Sequence, residues 1–233
     1  MNKTGKIVAI GGGGFEDGEM MPVFEKIVEL SEKKAPRVLS LPTAGHDHTD
    51  GEGVLEQIFT SLGCSSFKTI TLTTMGLSPE EVRSEILSAD IVFAGGGNLE
   101  FLMKVWNESG AAAALREAFE KGIVLSGVSS GAMCWFDEGY DDCGENGSFM
   151  FVDCLGLLPW CNCPHFENAG WQSFIPAVRS RKYSGIACEN GAALVYENGK
   201  YEPVCGRLGG TVWLLNREKN FEMTPVDKES LNK

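Results

Sequence analysis

Through the first 130 residues, short apolar runs alternate with helix-like segments, and the runs end abruptly in glycine or turn residues. Lys6-Ile7-Val8-Ala9-Ile10 stops at four glycines, residues 11–14, and Arg37-Val38-Leu39-Ser40-Leu41 stops at Pro42-Thr43. Ile91-Val92-Phe93-Ala94 ends at Gly95-Gly96-Gly97-Asn98. Residues 67–72 lead to Ser78-Pro79-Glu80-Glu81, where Ser78 and Glu81 predict a capping box with proline at the first helical position. Such alternation predicts an α/β fold, a mostly parallel sheet with helices on its faces. Beyond residue 185 the pattern changes to short strands. Ala192-Ala193-Leu194-Val195-Tyr196, the turn Glu197-Asn198-Gly199, then residues 200–205 and 210–215 predict an antiparallel extension of the same sheet. Residues 137–146, acidic and glycine-containing, read as an exposed loop, and the polar tail after Asn216 as the one disordered stretch. No linker, repeat or low-complexity segment interrupts the chain, so residues 1–233 are expected to form one domain.

Composition narrows the partners. With 43% hydrophobic and 22% charged residues the chain is that of a globular protein, and its net charge of −12 repels phosphate backbones and anionic membrane surfaces. Neither nucleic acid nor membrane is expected as a partner, and an acidic substrate would need a local arginine or lysine. No apolar stretch approaches the roughly 20 residues of a membrane span, and the run after Met1 is too short for a signal-peptide core. Cytoplasmic residence is expected, with the eight cysteines as free thiols. No cofactor is expected either: residues 11–14 fit no register of G-x-G-x-x-G, and there is no Walker A lysine. They read instead as a turn bordering the site. His46-Asp47-His48 and Cys161-x-Cys163-x-His165 lack the paired C-x-x-C spacing of a structural zinc site, so no metal is expected.

Catalytic chemistry concentrates at Gly127-Val128-Ser129-Ser130-Gly131, which follows Gly122-Ile123-Val124-Leu125 and precedes a predicted helix beginning Ala132-Met133. Strand, sharp turn and helix are the context in which G-x-S-x-G denotes a nucleophile elbow, with Ser129 at its centre. A serine hydroxyl needs a base. Of the three histidines, His46 and His48 lie in a polar loop, whereas His165 follows Pro164, which fixes the backbone before the ring. His165 is therefore the candidate base. Its orienting acid is open among Glu189, Glu167 and Asp153, which spacing does not separate. The Ser130 amide, directly after the nucleophile, and the Gly97 amide in the Gly-Gly-Gly-Asn turn are the candidate oxyanion donors.

The order of Gly-Gly-Gly-Asn, then G-x-S-x-G about thirty residues on, then Cys-Pro-His-aromatic, then a glutamate before Asn-Gly, resembles the peptidase E (dipeptidase E, serine peptidase S51) family, which includes cyanophycinases. The likeness runs from about Lys6 to Leu215. It implies a three-layer, doubly wound α/β architecture related to class I glutamine amidotransferases. It also implies a serine peptidase acting on short peptides through a Ser129–His165–Glu189 triad, with Gly97 and Ser130 in the oxyanion positions. Members that cleave after an N-terminal aspartate carry a longer, arginine-bearing segment between histidine and glutamate. Here only residues 166–188 fill that interval; Arg179, Arg181 and Lys182 in it are candidate clamps for an acidic side chain, with Arg179 the first choice for its bidentate fork. A catalytically silent binding protein on the same scaffold, or an esterase or amidase, are the competing readings; oligomeric state is open between monomer and homodimer.

Overall fold

The computed structural model describes residues 5–15, 17–227 and 231; the first four residues, on which the reading of the chain's start rests, lie outside that part, as do residues 228–230, 232 and 233 of the tail. In chain order the first half runs β1 (Lys6–Ile10), α1 (Met21–Leu30), β2 (Arg37–Leu41), α2 (Glu52–Ser61), β3 (Ser66–Thr69), α3 (Pro79–Ser88), β4 (Ile91–Ala94), α4 (Leu99–Ser109), α5 (Ala111–Glu120) and β5 (Val124–Val128). After α6 (Ser130–Met133) come β6 (Phe136–Asp141), β7 (Met150–Asp153), β8 (Leu158–Cys163), α7 (Phe174–Ala177), β9 (Gly185–Cys188), β10 (Ala192–Glu197), β11 (Lys200–Cys205), β12 (Val212–Asn216) and β13 (Glu222–Pro225).

Seven strands form the main sheet in the order β11-β10-β1-β5-β4-β2-β3. The five from β1 to β3 are mutually parallel, and β10 and β11 add antiparallel at one edge. The hairpin turn has Asn198 at φ 51° and Gly199 at φ 90°, the positive angles that a two-residue turn matching strand twist requires. Period-two burial makes the layers. Val8 and Ile10 point with Phe93 toward Phe24 and Ile27 of α1 and Phe59 of α2, while Ile7 and Ala9 point with Val92 and Leu125 toward Val82, Leu102 and Leu115 of α3, α4 and α5. Strands buried on both faces read as continuous apolar runs, which is why β1, β2 and β4 stand out in the sequence. The capping box is present: Ser78 N–H donates to Glu81 Oε2 at 2.8 Å and Glu81 N–H to Ser78 Oγ at 3.3 Å. That backbone N–H of Ser78 holds the Glu81 carboxyl below its usual range.

A second sheet, ordered β13-β12-β9-β8-β6-β7, corrects three sequence expectations. Residues 136–141 are a strand and not an exposed loop, with Glu138 only 4% and Asp141 1% exposed. Their charges are met inside. Arg181 forks onto Glu138, its Nε at 2.9 Å from Oε2, and the Leu99 N–H donates to Asp141 at 2.9 Å. The strand at residues 212–216 pairs with β9 and so belongs to this second sheet, leaving the hairpin alone as the extension of the main one. Order also continues past Asn216, because β13 pairs with β12 and Val226 N–H donates to Val212 O at 2.7 Å. Among the described residues no helix is long and apolar enough to cross a membrane.

Candidate active site

Ser129 stands at the carboxyl end of β5, between β1 and β4, the edge at which open α/β sheets bind ligands. Its backbone is strained, φ 56° and ψ −120°, a conformation costing about 1–3 kcal/mol that persists only where its surroundings enforce it. Here they do. Ser129 N–H donates to Ile10 O at 3.1 Å, and Ser129 O accepts from the amides of Ala132 and Met133 at 2.9 and 3.0 Å. The two framing glycines are required by contact: a Cβ on Gly127 would collide with the Gly131 carbonyl, and one on Gly131 with the Ala94 carbonyl. The helix that follows begins at Ser130, two residues before the expected start at Ala132, and is one turn long because Phe136 already begins the next strand.

His165 follows Pro164 off the end of β8 and itself has φ 51°, its N–H donating to Gly11 O at 3.0 Å and that of Phe166 to Cys188 O at 3.1 Å. Its Nε2 lies 2.9 Å from Ser129 Oγ, and its Nδ1 lies 2.7 Å from Asn190 Oδ1. Asn190 is gripped in turn by Glu167. The carboxylate accepts the Asn190 backbone N–H at 2.9 Å through Oε2 and the side-chain amide N–H through Oε1. A carboxylate only accepts, so the Asn190 Nδ2 must face Glu167 and its Oδ1 must face the imidazole. An amide oxygen also only accepts, so His165 carries its proton on Nδ1, and its bare Nε2 faces the serine hydroxyl. Three polar groups thus set one tautomer.

Glu189, the expected acid, is not at the imidazole. It is one residue before Asn190 at the end of β9, where successive side chains point to opposite faces, and it turns away. Its Oε2 accepts Thr211 N–H and its Oε1 accepts Trp213 Nε1–H, both at 2.9 Å, tying β9 to β12. Of its two rivals, Glu167 acts on the ring only through Asn190, and Asp153 is paired across β6 and β7 with Glu138. Nothing in the spacing singles out Asn190. The one usable signal is its position beside Glu189, since a strand end presents one of two neighbours to a given face.

The amides of Gly97 and Ser130 donate to no other group among the described residues. The two residues are joined by Ser130 Oγ–H donating to Gly97 O at 2.8 Å. Gly97 has φ 147°, and a Cβ there would meet the Ala44 carbonyl; at Gly96 a Cβ would stand 3.7 Å from Ser129 Oγ. The glycine turn therefore lies directly against the hydroxyl. Residues 11–14 border the site as expected, since a Cβ on Gly12 would strike Asn190 Oδ1 and His165 Nδ1. Arg179 is exposed on the short helical turn Val178–Ser180 and has no ion pair among the described residues; nothing joins it to Ser129. The fork lies two residues on, where Arg181 is committed to Glu138. The two metal-like motifs do not converge: His46 packs on Phe101 at 4.0 Å, Asp47 accepts from Thr73, and Cys161 donates to Glu138 at 3.0 Å. Burial pushes the Cys64 thiol up to about 11 and that of Cys188 to about 12, and raises Cys134, next to the elbow, as well. These thiols are poor nucleophiles at neutral pH.

A hydroxyl on a strained elbow, facing an imidazole of fixed tautomer, belongs to the class of serine hydrolases built on an open α/β sheet. Within that class the chain belongs to peptidase family S51, whose family profile, Peptidase family S51, matches residues 7–204. It is 32% identical over 215 residues to the Bacillus subtilis (strain 168) peptidase YgaJ, covering 89% of this chain and 90% of that one. Two solved structures share the fold. A peptidase from an acI-B1 Actinobacterium aligns over 97% of this chain and 96% of its own with a TM-score of 0.74 at 16% identity. A putative peptidase E protein from Listeria monocytogenes EGD-e aligns over 86% of this chain and 98% of its own with a TM-score of 0.66 at 18% identity.

Proposed function

We propose that this peptidase hydrolyses short peptides with Ser129 as nucleophile, His165 as general base and acid, and Asn190 as the group that holds the imidazole. The reading rests on the 2.9 Å approach of His165 Nε2 to Ser129 Oγ on the strained turn. As Oγ attacks the peptide carbonyl, its proton passes to Nε2. The amides of Gly97 and Ser130 receive the oxyanion. Collapse of the tetrahedral intermediate breaks the C–N bond, and Nε2–H gives its proton to the departing amine. Water then repeats the sequence on the acyl-enzyme, restoring the serine and releasing the carboxylate product. Asn190 takes the position in which a carboxylate was expected, an arrangement with precedent in Cys-His-Asn proteases. Cleavage after an acidic N-terminal residue would need a cation in the cleft, and Arg179 offers one only if a loop carries it there. The eight free thiols suit a reducing, cytoplasmic setting.

The test is labelling by a fluorophosphonate probe. Wild type is expected to label and Ser129→Ala not to. Folded wild type that resists the probe would turn the reading toward a silent binding protein.

A further inference from the structure

A cavity of about 190 Å³ opens beside the nucleophile at the carboxyl ends of β2, β4 and β5. Gly96, whose Cβ position is 3.7 Å from Ser129 Oγ, forms one wall, and Val128, the residue before the nucleophile, forms another. Phe15, Leu55 and Phe93 supply an apolar lining, with the two phenyl rings edge-on at 6.3 Å. Two titratable side chains also line it: Glu52, half-buried, which accepts a hydrogen bond from Thr69 Oγ1 at 2.7 Å, and the exposed His48. Neither lysine nor arginine is among the described residues lining the cavity.

We infer that this cavity receives the side chain of the residue whose carbonyl Ser129 attacks, and that it selects an apolar side chain of about leucine or phenylalanine size. The inference rests on Ser129 being the nucleophile. Size fits: a dry apolar cavity of about 150 Å³ accommodates benzene. Charge fits as well. An acidic side chain entering here would lose its water against aromatic walls and meet the Glu52 carboxylate, inside a chain of net charge −12, with only the solvent-exposed His48 as a basic neighbour. An aliphatic or aromatic side chain loses nothing polar, and its burial is worth roughly 10- to 100-fold in kcat/KM.

The experiment is a panel of dipeptides varied at the N-terminal residue, Leu, Phe, Ala, Asp and Lys, run on the full chain alongside fluorophosphonate labelling. Leu and Phe are expected to exceed Ala and Asp by about tenfold or more in kcat/KM. In Glu52→Lys, which brings a cation to the lining, the Asp-to-Leu ratio is expected to rise about tenfold. A labelled enzyme that prefers Asp, that treats Leu and Ala alike, or whose ratio is unmoved in Glu52→Lys overturns the pocket assignment while leaving the nucleophile intact. Wild type that neither labels nor cleaves any member overturns the assignment together with the reading beneath it.

Discussion

Replacing Glu167 by glutamine tests whether the imidazole tautomer is set from outside the Ser129–His165 pair. In the native site both Glu167 oxygens face donors, the backbone and side-chain N–H groups of Asn190. Glutamine offers one oxygen and one NH2, so one donor must face another unless the Asn190 amide rotates. Rotation relieves the conflict: Oδ1 then accepts from the new NH2 and Nδ2 donates to His165 Nδ1. That leaves Nδ1 bare and puts the proton on Nε2, which no longer accepts from Ser129. The penalty driving rotation is that of one unsatisfied donor, about 1–3 kcal/mol when buried. Glu167 is exposed, so the lower part of that range, about 1–2 kcal/mol, applies, and the active arrangement falls to about one part in 5–30. Glu167→Ala leaves the amide to water, which partners either face, and is expected to lose only about twofold to threefold.

The diagnostic is therefore an inversion, with the near-isosteric glutamine more damaging than alanine. The assay is kcat/KM on the best peptide of the panel, paired with ¹⁵N shifts of the imidazole nitrogens, which report the protonated nitrogen directly. Only three histidines are present, so assignment is tractable. Glutamine within about twofold of wild type, with Nδ1 still protonated, would refute tautomer control by Glu167.

Glu189→Gln is expected to keep kcat/KM within about threefold while costing about 1–3 kcal/mol in urea unfolding, since one of its two donors, Thr211 N–H or Trp213 Nε1–H, then faces an NH2. A hundredfold loss of kcat without destabilisation would return the acid's role to Glu189. Arg181→Ala strands the buried Glu138 carboxylate and is expected to cost near the lower end of about 3–5 kcal/mol, because the Arg181 side chain is 34% exposed. The Arg181 hydrogen bond holds Glu138 below its ordinary value, so the native pair contributes fully above the unfolded carboxyl's value and is lost as pH falls through the folded one. In the variant, protonation relieves the stranded charge, so the stability gap measured by denaturant is expected to narrow between about pH 7 and about pH 4; a widening gap would refute the account.

What could be read in the sequence was what neighbouring residues decide. β1, β2 and β4 begin and end where the apolar runs do, and Ser78 caps α3, because burial on both faces and a local hydrogen bond both leave their mark within a few residues. The meeting of Ser129 and His165 was legible for the same reason, one framed by glycines and the other set by a proline. β6 was not, since its acidic residues look solvated until Arg181, 43 positions away from Glu138, is known to reach them. Glu189 failed by a single residue. At a strand end one step reverses the face, and nothing local states which face meets the imidazole.

The exit of β1 joins these observations. Ile10 O accepts the N–H of Ser129, Gly11 O that of His165, and Gly12 O that of Gly191, at 3.1, 3.0 and 2.9 Å. Three consecutive carbonyls thus hold Ser129, His165 and the residue after Asn190, which come from segments of the chain far apart in sequence. A side chain would obstruct this approach, because a Cβ on Gly11 falls 2.6 Å from Cys188 O and one on Gly12 strikes the imidazole and the amide. Hence Gly11 and Gly12, part of a glycine run that fits no nucleotide-binding pattern, have a reason here. They let one backbone strand end pass close enough to align groups that the main sheet and the second sheet supply separately, and the precision of the 2.9 Å contact depends on that passage.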